Sequence, residues 1–160
     1  DHFKTTPSGQ KIQQAFAVKR LTTLSDTLSK LYFYHQQNGD ERISSTASKY
    51  TLVDFWFSTC APCIRQFPDL EKLHALYGDK GFTLVGVNTD KTQTEWTSSL
   101  HRFRFHYRQL WDKYNVASGR LLISSFPTNF LLDGNGKIIS KNISIAELTE
   151  FLSKKILSNE

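Results

Sequence analysis

The sequence predicts one α/β domain, and three observations carry that prediction. From residue 50 onward, apolar runs of strand length alternate with segments whose apolar residues recur every three or four positions. A length of 160 residues suffices for one domain with a full core and falls short of two ordinary ones. With 39% hydrophobic residues, 12 Phe and only 22% charged residues, the chain has enough apolar surface to bury and no bias toward disorder.

Taken in order, the first 49 residues are the least legible. Residues 3–6 and 11–14 flank Pro7-Ser8-Gly9 and read as a small hairpin. Leu21, Leu24, Leu28 and Leu31 have the spacing of a helical stripe, while Leu31-Tyr32-Phe33-Tyr34 reads as a strand, and periodicity leaves both open. Residues 36–42 and 44–48 have the composition of surface loop. From Tyr50 to Phe57 the chain is nearly continuously apolar, the mark of a central strand covered on both faces, and this run ends at the cysteines.

Beyond Pro62, Ile64, Phe67, Leu70, Leu73, Leu76 and Tyr77 predict a helix that starts at the cysteine motif, bends at Pro68 and ends near Gly78. Phe82 to Val87 is the next buried strand, and Thr92 to about Leu100 a crossover helix after the turn Asn88-Thr89-Asp90, which makes a βαβ unit. A short strand over 105–110 and a short helix over 111–116 follow. Phe130-Leu131-Leu132 and Lys137-Ile138-Ile139 flank Asp133-Gly134-Asn135-Gly136 as a hairpin. A last helix runs from Ser144 to about Leu157, with Ser144 and Glu147 spaced as a capping box and Leu148, Phe151, Leu152 and Ile156 on one face.

The formal charge is +5, but the basic residues are scattered, and no nucleic-acid partner is expected. The densest segment, His101 to Arg108, alternates basic and aromatic residues as a half-buried strand with a solvated face would. A docking surface for an acidic partner is the next reading of it. No run of about 18 apolar residues occurs, and the start Asp1-His2-Phe3 lacks the form of a secretion signal. With no Met in the chain, this fits a mature protein whose leader was removed.

Only two cysteines are present, so no disulfide framework holds the fold, and their Cys60-Ala61-Pro62-Cys63 spacing points to redox or metal chemistry. A cysteine at a helix N-terminus meets unpaired N–H groups and the positive end of the dipole, which favour the thiolate. Cys60 is therefore the expected nucleophile and Cys63, one turn on, the resolving thiol. Pro62 stiffens the turn between them. A structural zinc would need four ligands, and beyond the two cysteines only isolated histidines are available, so no metal is expected. Two inert buried thiols are the other reading of the pair.

Asp54 stands in an otherwise apolar strand, where burial should raise its pKa and suit it to carry a proton, unless it reaches solvent or is hydrogen-bonded locally. Cys60 lies six positions further on, an even count that keeps Asp54 on the side of the cysteines if the strand is regular that far. Phe126-Pro127 heads a strand, where a proline is harmless; alternatively its bond is cis and turns the backbone of Phe126 toward an extended substrate.

Val53-Asp54-Phe55-Trp56, Cys60-Ala61-Pro62-Cys63, Gly86-Val87-Asn88, and Phe126-Pro127-Thr128 followed by Phe130 to Gly136 together resemble the thioredoxin superfamily, nearest its TlpA/ResA-type disulfide reductases. The resemblance covers residues 1–14, as the family's opening hairpin, and about 50–157, as its core, and leaves 15–49 as an insertion. It implies a central mixed sheet flanked by helices, a cis Pro127, Asp54 as the buried acid, and a redox-active Cys60–Cys63 disulfide with no other cofactor. Phe126, Pro127, Trp56, Ala61 and Pro62 are the residues expected against substrate.

The implied work is reduction of disulfides in exported proteins, apocytochromes included, from a periplasmic or membrane-tethered position with a membrane electron donor. The oligomeric state stays open. Thr59 stands where thioredoxin has a tryptophan, and Ala61 replaces the common Gly or Glu. Gln66 occupies the place of an acidic residue of the ResA type, which weakens a role in cytochrome maturation and leaves Asp54 as the acid. The alternatives are a thiol peroxidase, an oxidase or isomerase, and a non-enzymatic interaction module; the peroxidase motif before the cysteine is missing.

Overall fold

The computed structural model describes residues 7–43 and 48–156. Helix α1 spans Pro7–Leu28 and is followed by the hairpin of β1, Tyr32–His35, and β2, Gly39–Arg42. Then come β3 Tyr50–Trp56, α2 Ala61–Tyr77, β4 Phe82–Asn88, α3 Gln93–Phe103 and β5 Arg108–Trp111. A short α4, Val116–Arg120, precedes β6 Thr128–Asp133, β7 Ile138–Lys141 and α5 Ile145–Ile156.

The seven strands form one mixed sheet in the order β2-β1-β5-β4-β3-β6-β7. The three strands β3, β4 and β5 run parallel, as the crossover helices α2 and α3 require, and the hairpins at either end are antiparallel. Alternation along β3 sends Leu52 and Trp56 to one face and Val53 and Phe55 to the other. On the first face they meet Phe67, Leu70 and Leu73 of α2 and Leu148, Leu152 and Ile156 of α5. On the second, Val85, Val87, Leu110 and Phe130 meet Leu28, Leu31, Ala117 and Leu121. Both faces of β3 are covered, which accounts for its continuous apolar run.

Three expectations change at the N-terminal side and around β5. Residues 11–14, read as the second strand of a hairpin, lie inside α1; residues 3–6 fall outside the described residues. Gln10, Lys11, Gln13, Gln14, Ala15, Lys19 and Arg20 are good helix formers, and a proline is tolerated at the head of a helix, where its missing N–H costs nothing. Leu21 and Leu24 are half-buried and Leu28 is buried, so only the second half of the helix carries the stripe, and Leu31 leads directly into β1. Helix and strand are therefore both present.

Residues 36–42, read as loop, divide into a turn over 36–38 and the strand β2. The turn is held by His35 Nδ1, which accepts from the backbone N–H groups of Gln37 and Asn38, both at 3.3 Å, and Gly39 leaves it at φ +75°. Asp40, Glu41 and Arg42 make a charged edge strand, a composition that discourages further pairing. The loop expected at 44–48 lies outside the described residues except for Ser48.

The basic and aromatic alternation of 101–108 is not a strand throughout. It covers the end of α3, a left-handed Arg104 at φ 51° and a bend at His106 and Tyr107 that leads into β5. Phe103, Phe105 and Tyr107 turn into the core while His101, Arg102, Arg104 and His106 stay exposed.

Candidate active site

The site forms at the carboxyl ends of the parallel strands, where β3 runs out into Phe57-Ser58-Thr59 and α2 begins. Cys60 is the N-cap of α2, in extended backbone conformation, and its Sγ accepts a hydrogen bond from Cys63 N at 3.2 Å. Pro62 lies in the first turn, where no N–H is needed, and that turn holds no acidic residue to compete with a sulfur anion for the helix dipole. Cys60 and Cys63 are joined as a disulfide. Cys63 has no exposed surface and Cys60 is 3% exposed, while Ala61 and Pro62 between them are open to solvent.

The loop before Cys60 is tied to the adjacent strand end. Asp90 accepts from Ser58 N at 3.1 and 3.2 Å and from Ser58 Oγ at 3.0 Å, and it also takes Nδ2–H of Asn88 at 2.8 Å. Thr89 N and Oγ1 both donate to Trp56 O. Sequence reading took Asn88-Thr89-Asp90 as a turn and missed this role. The available signal was the pairing of two parallel strands, which sets the ends of β3 and β4 side by side, Trp56 opposite Asn88.

Asp54 is 1% exposed and takes Gln66 Nε2 on both carboxylate oxygens at 3.2 Å. Burial pushes its carboxyl up to about 8, and the hydrogen bond from Gln66 opposes that only in part. Gln66 stands three residues after Cys63, about one helical turn along α2, so the residue that departs from the acidic pattern is the one that caps the buried acid.

The Phe126–Pro127 peptide bond is cis, and Thr128 then enters β6 opposite Phe55. The Phe126 ring packs edge-on against Phe57 at 5.2 Å, joining the proline loop to the cysteine loop. Beside them a cleft of about 600 Å³ is lined by Phe57, Thr59, Asp90, Lys91, Glu95, Asn115, Ser118, Ile123 and Phe126.

Trp56, expected against substrate, cannot touch one: it has no exposed surface. It shares the α2 face of β3 with Asp54, stacks edge-on with Phe67 at 5.2 Å and donates Nε1–H to Gln109 Oε1 at 3.1 Å, so it forms the floor under the cysteines. Among the described residues, no group of three or more His, Cys, Asp or Glu is placed to hold a metal ion. The residues that can do chemistry here are a dithiol or disulfide pair at a helix N-terminus and a carboxyl that burial pushes up to about 8.

Residues 48–138 match the model of a family described as thioredoxin-like. The chain is 26% identical over 95 residues to a thiol-disulfide oxidoreductase ResA of Bacillus cereus, covering 59% of this chain and 55% of that protein. It thus spans little more than half the length of that relative. A ResA of Geobacillus thermodenitrificans is 23% identical over 123 residues, 77% of this chain and 71% of that one. Among solved structures, the thioredoxin domain of a thiol-disulfide oxidoreductase from Bacteroides vulgatus superposes with a TM-score of 0.71 at 29% identity, covering 79% of this chain and 92% of that chain. A thiol:disulfide interchange protein from a Bacteroides species gives 0.71 at 28% identity, over 79% and 86%.

Proposed function

The chain belongs to the thioredoxin-like family, and from that premise we propose that it is a thiol-disulfide oxidoreductase working on proteins in the reducing direction. The observation that carries this reading is the Cys60–Cys63 disulfide placed at the start of α2, with Cys60 as the helix cap. In the reduced protein the Cys60 thiolate attacks one sulfur of a substrate disulfide. That S–S bond breaks, a Cys60–substrate disulfide forms, and the first substrate sulfur leaves as thiolate. Cys63 then gives its proton to the Asp54 carboxylate and attacks the Cys60 sulfur, which closes the Cys60–Cys63 bond and releases the second substrate thiolate. Two electrons pass to the substrate, and an external dithiol must return them.

The exposed Ala61 and Pro62 and the half-exposed Phe126 and Pro127 flank the cysteines, and an extended substrate backbone laid along Phe126 would present its disulfide to Cys60. The partners of this reading are disulfide-bearing proteins and a membrane electron donor, met outside the cytoplasm, as for the ResA type the chain resembles. Among the described residues no helix is long and apolar enough to cross a membrane.

The test is the reduction potential of the pair, measured by equilibration with glutathione or dithiothreitol buffers and trapping of free thiols. A value near −270 mV, about that of thioredoxin, is expected. A value near −120 mV would reverse the direction and make the protein an oxidant.

A further inference from the structure

Trp96 Nε1, Tyr107 Oη and Gln109 Nε2 are buried without a hydrogen-bonding partner, and all three residues stand in the wall of one cleft of about 250 Å³. This cleft opens on the β1 side of the sheet, between the turn residues Gln36 and Gln37, the end of α3 and the head of β5. Polar atoms so buried are nearly always satisfied, so three unpaired ones in one wall mark a place where something polar enters. The indole of Trp56 can only donate, so it holds Oε1 of Gln109 and leaves Nε2 for another partner.

Strand register leads from that wall to Asp54. Asp54 pairs with Gly86 and Gly86 with Gln109, so the three stand in one row across β3, β4 and β5 and project from the same face. Two strand spacings, roughly 10 Å, separate the ends of the row. The middle position carries no side chain, and the space is taken: a Cβ on Gly86 would lie 2.3 Å from Oε1 and 2.6 Å from Nε2 of Gln109. The Gln109 amide therefore reaches across Gly86 toward Asp54. Tyr107, two residues earlier on the same face, brings its hydroxyl near this amide without completing a hydrogen bond to it. The Asp54 charge also reaches the phenol and opposes its ionisation, as does Glu71, though burial is the larger cause of its raised pKa.

Asp54 itself is sealed from solvent, so a proton it accepts needs a way out. Resting on the reading of Asp54 as acceptor of the Cys63 proton, we propose that the cleft beside β5 is the exit for that proton, which passes through the Tyr107 hydroxyl that lies beside the Gln109 amide. A water admitted from the cleft takes the Asp54 proton and gives one to the Tyr107 oxygen, as the phenol gives its own to a second water in the cleft. One proton enters the hydroxyl and one leaves, the phenol never ionises, and no electrons move. Arg104, Arg108 and His35 line the outlet, with no carboxylate among its walls, and the ring of His74 packs against Tyr107 at 5.9 Å. Tyr107 and Gln109 act through Asp54 and are positioning residues.

The experiment follows reduced protein mixed with oxidised glutathione by stopped-flow fluorescence, from pH 5 to 9, in H2O and in D2O. The step read is closure of the Cys60–Cys63 bond with release of the bound glutathione. Tyr107→Phe loses only a hydroxyl that makes no hydrogen bond, so the fold should stand. It is expected to slow that step by about a hundredfold, the lower end of the range for loss of a positioned proton carrier, and to alter its solvent isotope effect. Asp54→Asn is expected to slow it as well and to remove its pH dependence. Wild-type rate and isotope effect in Tyr107→Phe, with Asp54→Asn slow, would overturn the exit route and leave Asp54 in its role. No effect of Asp54→Asn would overturn both. As a second measurement, exchange of the Asp54 carboxyl proton into D2O, read by difference infrared spectroscopy, is expected to slow in Tyr107→Phe. Equal exchange in the two proteins would also overturn the route.

Discussion

At the scale of single residues, Asp54 ties the stability of the fold to pH. Its carboxyl is pushed up to about 8 in the folded protein from 3.8 for an unperturbed group, chiefly by burial. The folded state therefore holds a proton that the unfolded chain has already released between those two values. The contribution of this group to stability is complete below about pH 4, falls as pH rises toward 8, and levels off above it. Asp54→Asn keeps the shape and an acceptor for Gln66 but carries no charge. In the oxidised protein it is expected to leave stability unchanged near pH 4 and to raise it by a few kcal/mol at pH 8, on the scale of 1.36 kcal/mol for each pKa unit. Urea unfolding at the two pH values checks this; equal stability gains at both would show that charge burial is not the cause. A carboxylate costly to bury and retained beside the cysteines also fits a group kept for proton transfer.

Among the elements, the loop from Phe57 to Thr59 is anchored to the end of β4. Asp90 takes both the backbone N–H and the hydroxyl of Ser58, and Trp111 Nε1 donates to Asp90 O at 2.8 Å, so three strand ends converge on one residue. Asp90→Ala leaves the Ser58 and Asn88 donors without their acceptor. A loss of about 1–3 kcal/mol is expected in chemical denaturation, the usual cost of leaving half-buried donors unpaired. Thr92 and Glu95 begin α3 two residues later with a reciprocal capping box, which keeps the crossover helix from starting elsewhere. Helix α2 contributes in the same way through Cys60, whose sulfur is both helix cap and half of the redox pair.

Across the whole molecule, α1 is joined to the far edge of the sheet. Ile138 N at the start of β7 donates to Ser25 Oγ at 2.9 Å, and that hydroxyl donates to Leu21 O at 2.8 Å. Ser25→Ala would leave a buried N–H unpaired, with an expected cost of about 1–3 kcal/mol by thermal or chemical unfolding. No change would show that this hydrogen bond contributes nothing to the stability of the fold. The contact joins residues 113 apart in sequence, and neither its existence nor the length of α1 could be read from the chain.

What could be read was whatever a local pattern dictates: the buried strands β3 and β4, the helix launched at Cys60, the hairpin of β6 and β7 with its turn, and the capping box at Ser144. Burial, periodicity and capping are properties of neighbouring residues, so the sequence by itself determined these, along with the pairing of Cys60 and Cys63 over a single turn. The first helix was misread because its exposed half lacks an apolar stripe, and β2 because a charged edge strand resembles loop until its partner is in place. Trp56 as floor, Asp90 as anchor, Gln66 as the partner of Asp54, and the row from Asp54 through Gly86 to Gln109 were decided only by tertiary structure. Each depends on which strands lie side by side and in what register, and long-range pairing sets that.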